Sequence, residues 1–370
     1  MVSVTQFVPG LELSRRFYRE AVRPVLDDRF PRLAYSAARL GHGSEVLGFD
    51  SQRSTDHEWG PRLQLFLGED DYRRHRSRIT EVLSQELPAE VAGYPTHFGD
   101  TDEAGTKRLH NASGGPIDHR VEPTTIERFF RRALAHDPYQ EITVLDWLAF
   151  PQQELLGITA GEVFHDGLGE LNALREKFGY YPRDVWLYLI ACQWMKISQE
   201  EPFPGRCAEV GDELGSRIVA ARQVREIVRL CFLFEKSYAP YSKWLGSAFA
   251  RLACAGELTP MLLAALKATT WPEREKWLSR AYEFVARRHN SLGVTRSLPA
   301  EVSNFWGRPY LVIHADHFAE ATREVIEDED VRSLGTMIGA VDQFADSTDF
   351  LSYPDVFGRS RGLFGQSAGE

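Results

Sequence analysis

From about residue 168 onward the chain is built of one kind of element. Helix-period stretches run over 169–178, 183–200, 207–237, 241–255, 259–268, 273–289 and 315–327, and Pro182, Pro204-Gly205, Pro240, Pro260 and Pro272 punctuate them. Successive helices with short breaks can bury their apolar faces only against one another, so this part predicts a mostly α-helical domain. The first part alternates instead. Residues 11–27 place Leu11, Leu13, Phe17, Val22 and Val25 on one broad face and predict a helix. Residues 33–40, LAYSAARL, read as a strand, and 62–67, RLQLFL, alternate as a second. A charged amphipathic helix follows over 70–87 and ends at Pro88. Residues 117–122, IDHRVE, read as a third strand, with a helix after it to about 135. Residues 141–160 begin strand-like and become helical, and 162–167, EVFHDG, suit an edge strand. The expected fold class is α+β: a sheet with flanking helices over 1–167, then a helical domain over 168–370. The polar, Gly-containing stretch 99–116 reads as an insertion, with a substrate lid as the alternative, because structureless loops of that length are uncommon.

Composition narrows the function. The net charge of −10 argues against a protein whose main task is gripping nucleic acid, which needs a basic field. No apolar run approaches the about 20 residues that a membrane helix requires. The first residues show no basic segment followed by an apolar one, so the cytoplasm is the expected compartment. Cys192, Cys207, Cys231 and Cys254 form no CxxC pair and read as buried, reduced thiols.

The chemistry concentrates in GHGSEVLGFDSQRSTDHEWGPRLQLFL, residues 41–67. Gly43 lets the backbone approach a ligand, and Ser44 adds a hydroxyl just after the first strand; together they suit a phosphate cradle. Asp56 and Glu58 are two residues apart, so on an extended chain both carboxylates face one side. They repel unless a cation sits between them. Mg2+ takes carboxylates together with phosphate oxygens, so the pair suits a metal–triphosphate complex. A third carboxylate would complete a two-metal site for in-line displacement. His57 lies between the carboxylates and should face away from the metal in a packing or hydrogen-bonding role. Trp59 reads as a packing residue, with stacking on a base as the alternative. Arg62 reads first as a surface cation and second as a phosphate contact.

Gly43-Ser44, Gly48, Ser54 and Asp56-His57-Glu58 fill the pattern of the nucleotidyltransferase superfamily, and the segment resembles that superfamily: the DNA polymerase beta-like fold that includes the aminoglycoside nucleotidyltransferases. DHEWGPRLQLFL, with DWLAFPQQELLGITAGEVFHD and APYSKWLG downstream, is similar to a bacterial branch of it known mainly as a domain of unknown function. The resemblance implies a nucleotidyltransferase-like mixed sheet in the first domain. It also implies Mg2+-dependent transfer of a nucleoside monophosphate from an NTP, with ATP the expected donor, to a hydroxyl on a small molecule such as an antibiotic or metabolite. The alternatives are a non-catalytic nucleotide-binding protein, or a protein or RNA acceptor. Asp56 and Glu58 would hold the metal and Gly43, Ser44 and Ser54 would lie beside the phosphates. Glu122 comes first as the third carboxylate, ahead of Asp146 and Asp166, and Lys243 in YAPYSKWLG would neutralise phosphate charge. Two further clusters remain open. Glu209, Asp212 and Glu213 pair with Arg206 and Arg217 or line a cleft for a cationic substrate, and His314 and His317 in HADH read as a solvated helix start, with a metal site as the alternative.

Overall fold

The computed structural model describes residues 7–101, 106–112 and 114–364. The chain divides into two compact units, Met1–Glu141 with Glu154–Gly179, and Ile142–Gln153 with Tyr180–Glu370. The expected boundary at 167–168 therefore differs from the observed one, and a short segment before it belongs with the second unit.

In the first unit α1 (Gly10–Phe17), a π-helical turn (Tyr18–Val22) and α2 (Arg23–Arg29) are one interrupted helix. β1 (Tyr35–Arg39) and β2 (Arg62–Leu67) follow, then α3 (Glu69–Glu86). Two small hairpins come next, β3 (Glu90–Val91) with β4 (Tyr94–Pro95) and β5 (His97–Asp100) with β6 (Lys107–His110). β7 (Arg120–Thr124), α4 (Ile126–Leu134) and, later, β8 (Glu162–Asp166) complete the set. The main sheet is mixed, in the order β7-β2-β1-β8, with β2 and β7 parallel and the other neighbours antiparallel. The stretch 99–116 is not a single loop, since β5 covers its start and β6 its middle; its residues 102–105 and 113 lie outside the described residues.

Alternation along the strands sorts the side chains onto two faces. Ala37, Leu63, Leu65, Leu67 and Val121 point into a core shared with Phe17, Leu26, Ile79 and Leu83 of the helices. Arg62 and Gln64 on β2 then face the other way. They stand in register with Arg120 and Glu122 on β7, so the same arithmetic that builds the core lines up a polar row opposite it.

The second unit is helical: α5 (Val144–Ala149), α6 (Gln152–Thr159, which runs on into the first unit), and, after α7 (Leu171–Lys177) of the first unit, α8 (Arg183–Ser198), α9 (Phe203–Glu209) and α10 (Glu213–Phe234). α11 (Ser242–Phe249), α12 (Ala255–Lys267), α13 (Trp271–Ser291), a two-residue-stranded hairpin of β9 (Ser303–Asn304) and β10 (Leu311–Val312), and α14 (Ala315–Glu324) follow. Short helical turns carry the chain to Phe364. α8 is buried almost all round, from Val185 to Trp194 and at Ile197, which makes it the centre of this bundle. The strand-like start expected at 141 is instead the cap of α5: Thr143 and Asp146 exchange hydrogen bonds in a capping box, and this local pairing outweighs the β-branched residues beside it. No described helix is long and apolar enough to cross a membrane. Cys192, Cys231 and Cys254 are buried free thiols, as expected, and Cys207 is half-buried.

Candidate functional site

The motif residues do not take the extended geometry that their spacing predicts. Residues Gln52–Asp56 form a 3-10 turn, closed by Ser51 and Ser54, and β2 begins only at Arg62. Glu58 has φ +46°, a left-handed conformation that non-glycine residues seldom hold. The i, i+2 rule therefore fails for Asp56 and Glu58, because a turn and a left-handed residue replace the strand on which it depends. Asp56 is exposed and pairs with its neighbour His57 at 2.9 Å. Glu58 exchanges hydrogen bonds with the backbone of Lys107: its N–H donates to the Lys107 carbonyl, and its Oε1 accepts from the Lys107 N–H at 2.9 Å. Glu122 lies on β7 as anticipated, half-exposed and paired with Arg132. Among the described residues no three His, Cys, Asp or Glu side chains gather as a metal centre.

Glu58 and Glu122 nevertheless share a cleft of about 360 Å3 on the polar face of the sheet, with Arg39, Arg62, His119 and Arg120. Behind it is a buried ionic knot that the motif does not reveal. The Glu45 side chain is 1% exposed, and its Oε1 accepts from Arg39 Nη2 at 2.7 Å and from Arg62 Nη2 at 2.7 Å. Burial alone would push the Glu45 carboxyl up, but the two guanidinium charges and their hydrogen bonds outweigh it and hold it at about 2. Burial draws Arg39 down to about 10, so it stays charged at neutral pH. Arg62 is thus no surface cation: it is pinned from behind by Glu45 and opens into the cleft. Arg120 stands beside it in register, its guanidinium 5.5 Å from the Phe98 ring and its Nε buried without a hydrogen-bond partner.

Gly43 is needed for this knot. Its φ is +143°, and a Cβ there would stand 2.5 Å from Glu45 Oε2 and 2.7 Å from Arg39 Nη2. Ser44 is half-buried in the turn that follows, where its carbonyl accepts from Phe49 N–H at 2.8 Å. Ser54 closes its own turn. Trp59 is buried, stacked on Phe7 and edge-on to Tyr94, and its Nε1 donates to Asp50 at 3.0 Å; it is a packing residue. Asp50 also accepts from the N–H of Gly10 at 2.6 Å and so fastens the start of α1.

The runner-up carboxylates have structural partners. Asp146 caps α5 and binds Arg361 at 2.6 Å. Asp166 accepts from Ser36 at 2.7 Å and from backbone N–H groups at Leu171 and Asn172; burial opposes them, yet these bonds hold its carboxyl below the usual range. Lys243 is exposed in the first turn of α11 in the second unit, 5.1 Å over the Trp244 ring. Arg206 pairs with Glu209 and Arg217 with Glu213, while Asp212 caps α10, so this acidic cluster is held by structural pairing. His314 and His317 stack on one another at the start of α14.

Residues 147–245 match the family described as Domain of unknown function (DUF4037). The match covers less than half of the chain, and the similar segments DWLAFPQQELLGITAGEVFHD and APYSKWLG both fall in it but for a terminal residue at either end. No curated protein matches the chain. Among solved structures, a nucleotidyltransferase-like protein from Exiguobacterium sibiricum is similar over 79% of this chain and 96% of its own, at 10% identity and a TM-score of 0.30. A likeness at that level decides neither mechanism nor substrate.

Three features escaped the sequence reading: Glu45, Arg39 and Arg120. The first had a usable signal. A glutamate between Ser44 and the apolar Val46-Leu47 is poorly placed to reach water, and a buried carboxylate demands basic partners.

Proposed function

We propose that the chain is a Mg2+-dependent nucleotidyltransferase that moves a nucleoside monophosphate from an NTP, ATP first, to a hydroxyl group on a small molecule. The observation that supports this best is the in-register pair Arg62 and Arg120 in one cleft with Glu58 and Glu122. Arginine presents a rigid fork of donors that matches phosphate oxygens. The outer end of the Arg120 guanidinium, 4.0 Å from Glu58, faces the same cleft. Arg62 needs no reorganisation to serve, since Glu45 already fixes it.

In the proposed reaction the acceptor oxygen attacks the α-phosphorus, the bond from that phosphorus to the α,β-bridging oxygen breaks, and pyrophosphate leaves. The acceptor's proton passes to the carboxylate of Glu58 or Glu122. Arg62 and Arg120 orient the phosphates and balance the charge that builds on them, which is most of what phosphoryl transfer asks of a protein. The two carboxylates of the cleft suit Mg2+, which is usually held by one or two carboxylates beside substrate phosphates, and bound there it would neutralise phosphate charge. Asp56 enters this reading as a further ligand only by rotation of the 56–58 backbone. The Gly43-Ser44 turn is proposed as the backbone wall beside the phosphates.

A second reading, a nucleotide-binding protein without catalysis, is favoured by one observation: Asp56, Glu58 and Glu122 each already have a polar partner, in His57, Lys107 and Arg132 in turn. Calorimetric titration of ATP with and without Mg2+, beside a pyrophosphate-release assay on a panel of hydroxyl acceptors, separates the two. The proposal expects Arg120→Gln to weaken ATP by about tenfold or more, the worth of a charge-assisted hydrogen bond. It also expects Glu58→Gln to abolish pyrophosphate release. ATP binding that ignores Arg120→Gln would overturn the site, and tight binding with no release for any acceptor would leave the second reading.

A further inference from the structure

The helical unit carries a cleft of about 520 Å3 that the proposed reaction does not use. Its walls follow from helix periodicity. Cys192 and Lys196 recur along one face of α8, with Gln199 at its C-terminal cap, and Arg222, Arg225 and Glu226 along one face of α10. The third wall is the segment around 337–346, where Ile338 and Phe344 remain 40% and 42% exposed.

The floor is built and rigid. The Glu226 side chain is 3% exposed, accepts from Gln193 Nε2 at 2.7 Å and faces Lys196 Nζ at 3.4 Å. Gln343 Nε2 donates to Gln193 Oε1 at 3.0 Å and to the Leu189 carbonyl at 2.9 Å, and Lys196 donates to the Gln343 carbonyl. At the rim, Arg222 pairs with Glu200 and Arg225 with Asp346, each at 3.0 Å, and Asp346 is 73% exposed. Such exposed pairs contribute little, so either arginine can exchange its partner for a ligand oxyanion at small cost. One turn further along the same face of α10, Arg229 donates from Nη1 to the Asp342 carbonyl at 2.6 Å, while its Nε is buried with no hydrogen-bond partner. Lys196, Arg222 and Arg225 line the cleft beside an apolar wall, each paired with one carboxylate, Glu226, Glu200 and Asp346 in turn, so the head of a ligand must displace Glu200 and Asp346 at the rim.

We propose that this cleft binds a small organic anion, with its oxyanion held by Lys196, Arg222 and Arg225 and a single apolar ring or chain laid on Ile338 and Phe344. The volume suits a ligand of that size. The arginine forks match a carboxylate or a phosphomonoester, and a head of either kind without the apolar body leaves the Ile338–Phe344 wall unused.

Phenyl phosphate is the probe, titrated calorimetrically into the full chain. Inorganic phosphate serves as the head alone and benzyl alcohol as the body alone. The expected result is a site that binds phenyl phosphate about tenfold or more tightly than either control, a difference that one buried ring or one charge-assisted hydrogen bond can supply. The double variant Arg222→Gln/Arg225→Gln should weaken it by a similar factor. Arg120→Gln, in the other unit, should leave it unchanged, which keeps this site distinct from the proposed nucleotide site. Equal affinity for a control, indifference to the double variant, or no heat at millimolar probe overturns the proposal. Should the double variant fail to melt cooperatively, Ile338→Asp on the exposed wall takes its place: weakened binding supports the cleft and unchanged binding overturns it.

Discussion

A carboxylate withdrawn from water persists only where donors replace the solvent, and Glu45 has two guanidinium groups aimed at a single oxygen. Removing it leaves Arg39, 4% exposed, as an uncompensated buried charge. Glu45→Ala should therefore cost about 3–5 kcal/mol, the usual penalty for breaking a buried pair from one side. Urea unfolding would measure it, and a loss under 1 kcal/mol would show that the knot contributes little. The same carboxyl sets an acid limit. Its folded pKa, about 2, lies below the ordinary 4.5, so its contribution is complete above pH 4.5 and drains away as the pH falls toward 2. Glu45→Gln should flatten that part of the stability–pH curve for the first unit.

Elements show where local chemistry overrules periodicity. The apolar pattern across 207–237 reads as one helix, yet the structure breaks it at Gly211-Asp212, where Asp212 accepts from the Gly215 N–H at 2.8 Å and starts α10 afresh. Asp212→Ala should cost about 1 kcal/mol, the usual value of an N-cap, read as a shift in the urea midpoint at unchanged slope. A shift indistinguishable from zero would mean that tertiary packing alone positions the helix. The long helices and β1, β2 and β7 were legible because burial imposes a period of 3.6 or 2, and α3 and α8 were read to within a residue or two. The candidate site was legible only as a neighbourhood. Glu58 and Glu122 do share a cleft, but the conformation of residues 52–58 is fixed by side-chain caps and by pairing with Lys107 on β6, a strand distant in sequence. No period in the sequence encodes that contact. Arg120, and its pairing with Arg62, were hidden for the same reason: their adjacency is a register between strands separated by a helix and two hairpins.

At the scale of the whole molecule, buried titrating groups pull stability in opposite directions, and the helical unit holds a matched pair. Glu201 accepts from the N–H groups of Ile313 at 2.8 Å and Ala315 at 3.1 Å, yet burial outweighs them and raises its carboxyl to about 7. His289 is driven down to about 4 by burial, and its Nδ1 accepts from Trp194 Nε1 at 3.1 Å, a bond that only the unprotonated nitrogen can make. Between pH 4.5 and 7 the folded state binds more protons at Glu201 than the unfolded state, so this group lowers stability as pH rises. Between pH 4 and 6.5 the unfolded state binds more protons at His289, so that group raises stability as pH rises. The two slopes are therefore opposed from pH 4.5 to 6.5, each worth up to about 3 kcal/mol, and these two groups largely offset one another there. Glu201→Gln removes one slope. Relative to the parent, its unfolding free energy should then climb by about 2–3 kcal/mol between pH 4.5 and 6.5, whatever the substitution costs at a fixed pH. Urea titrations at pH 4.5, 5.5 and 6.5 on both proteins would show it. A variant with the parent's slope would mean that Glu201 is ionised throughout that range and that its backbone donors, rather than its burial, govern it.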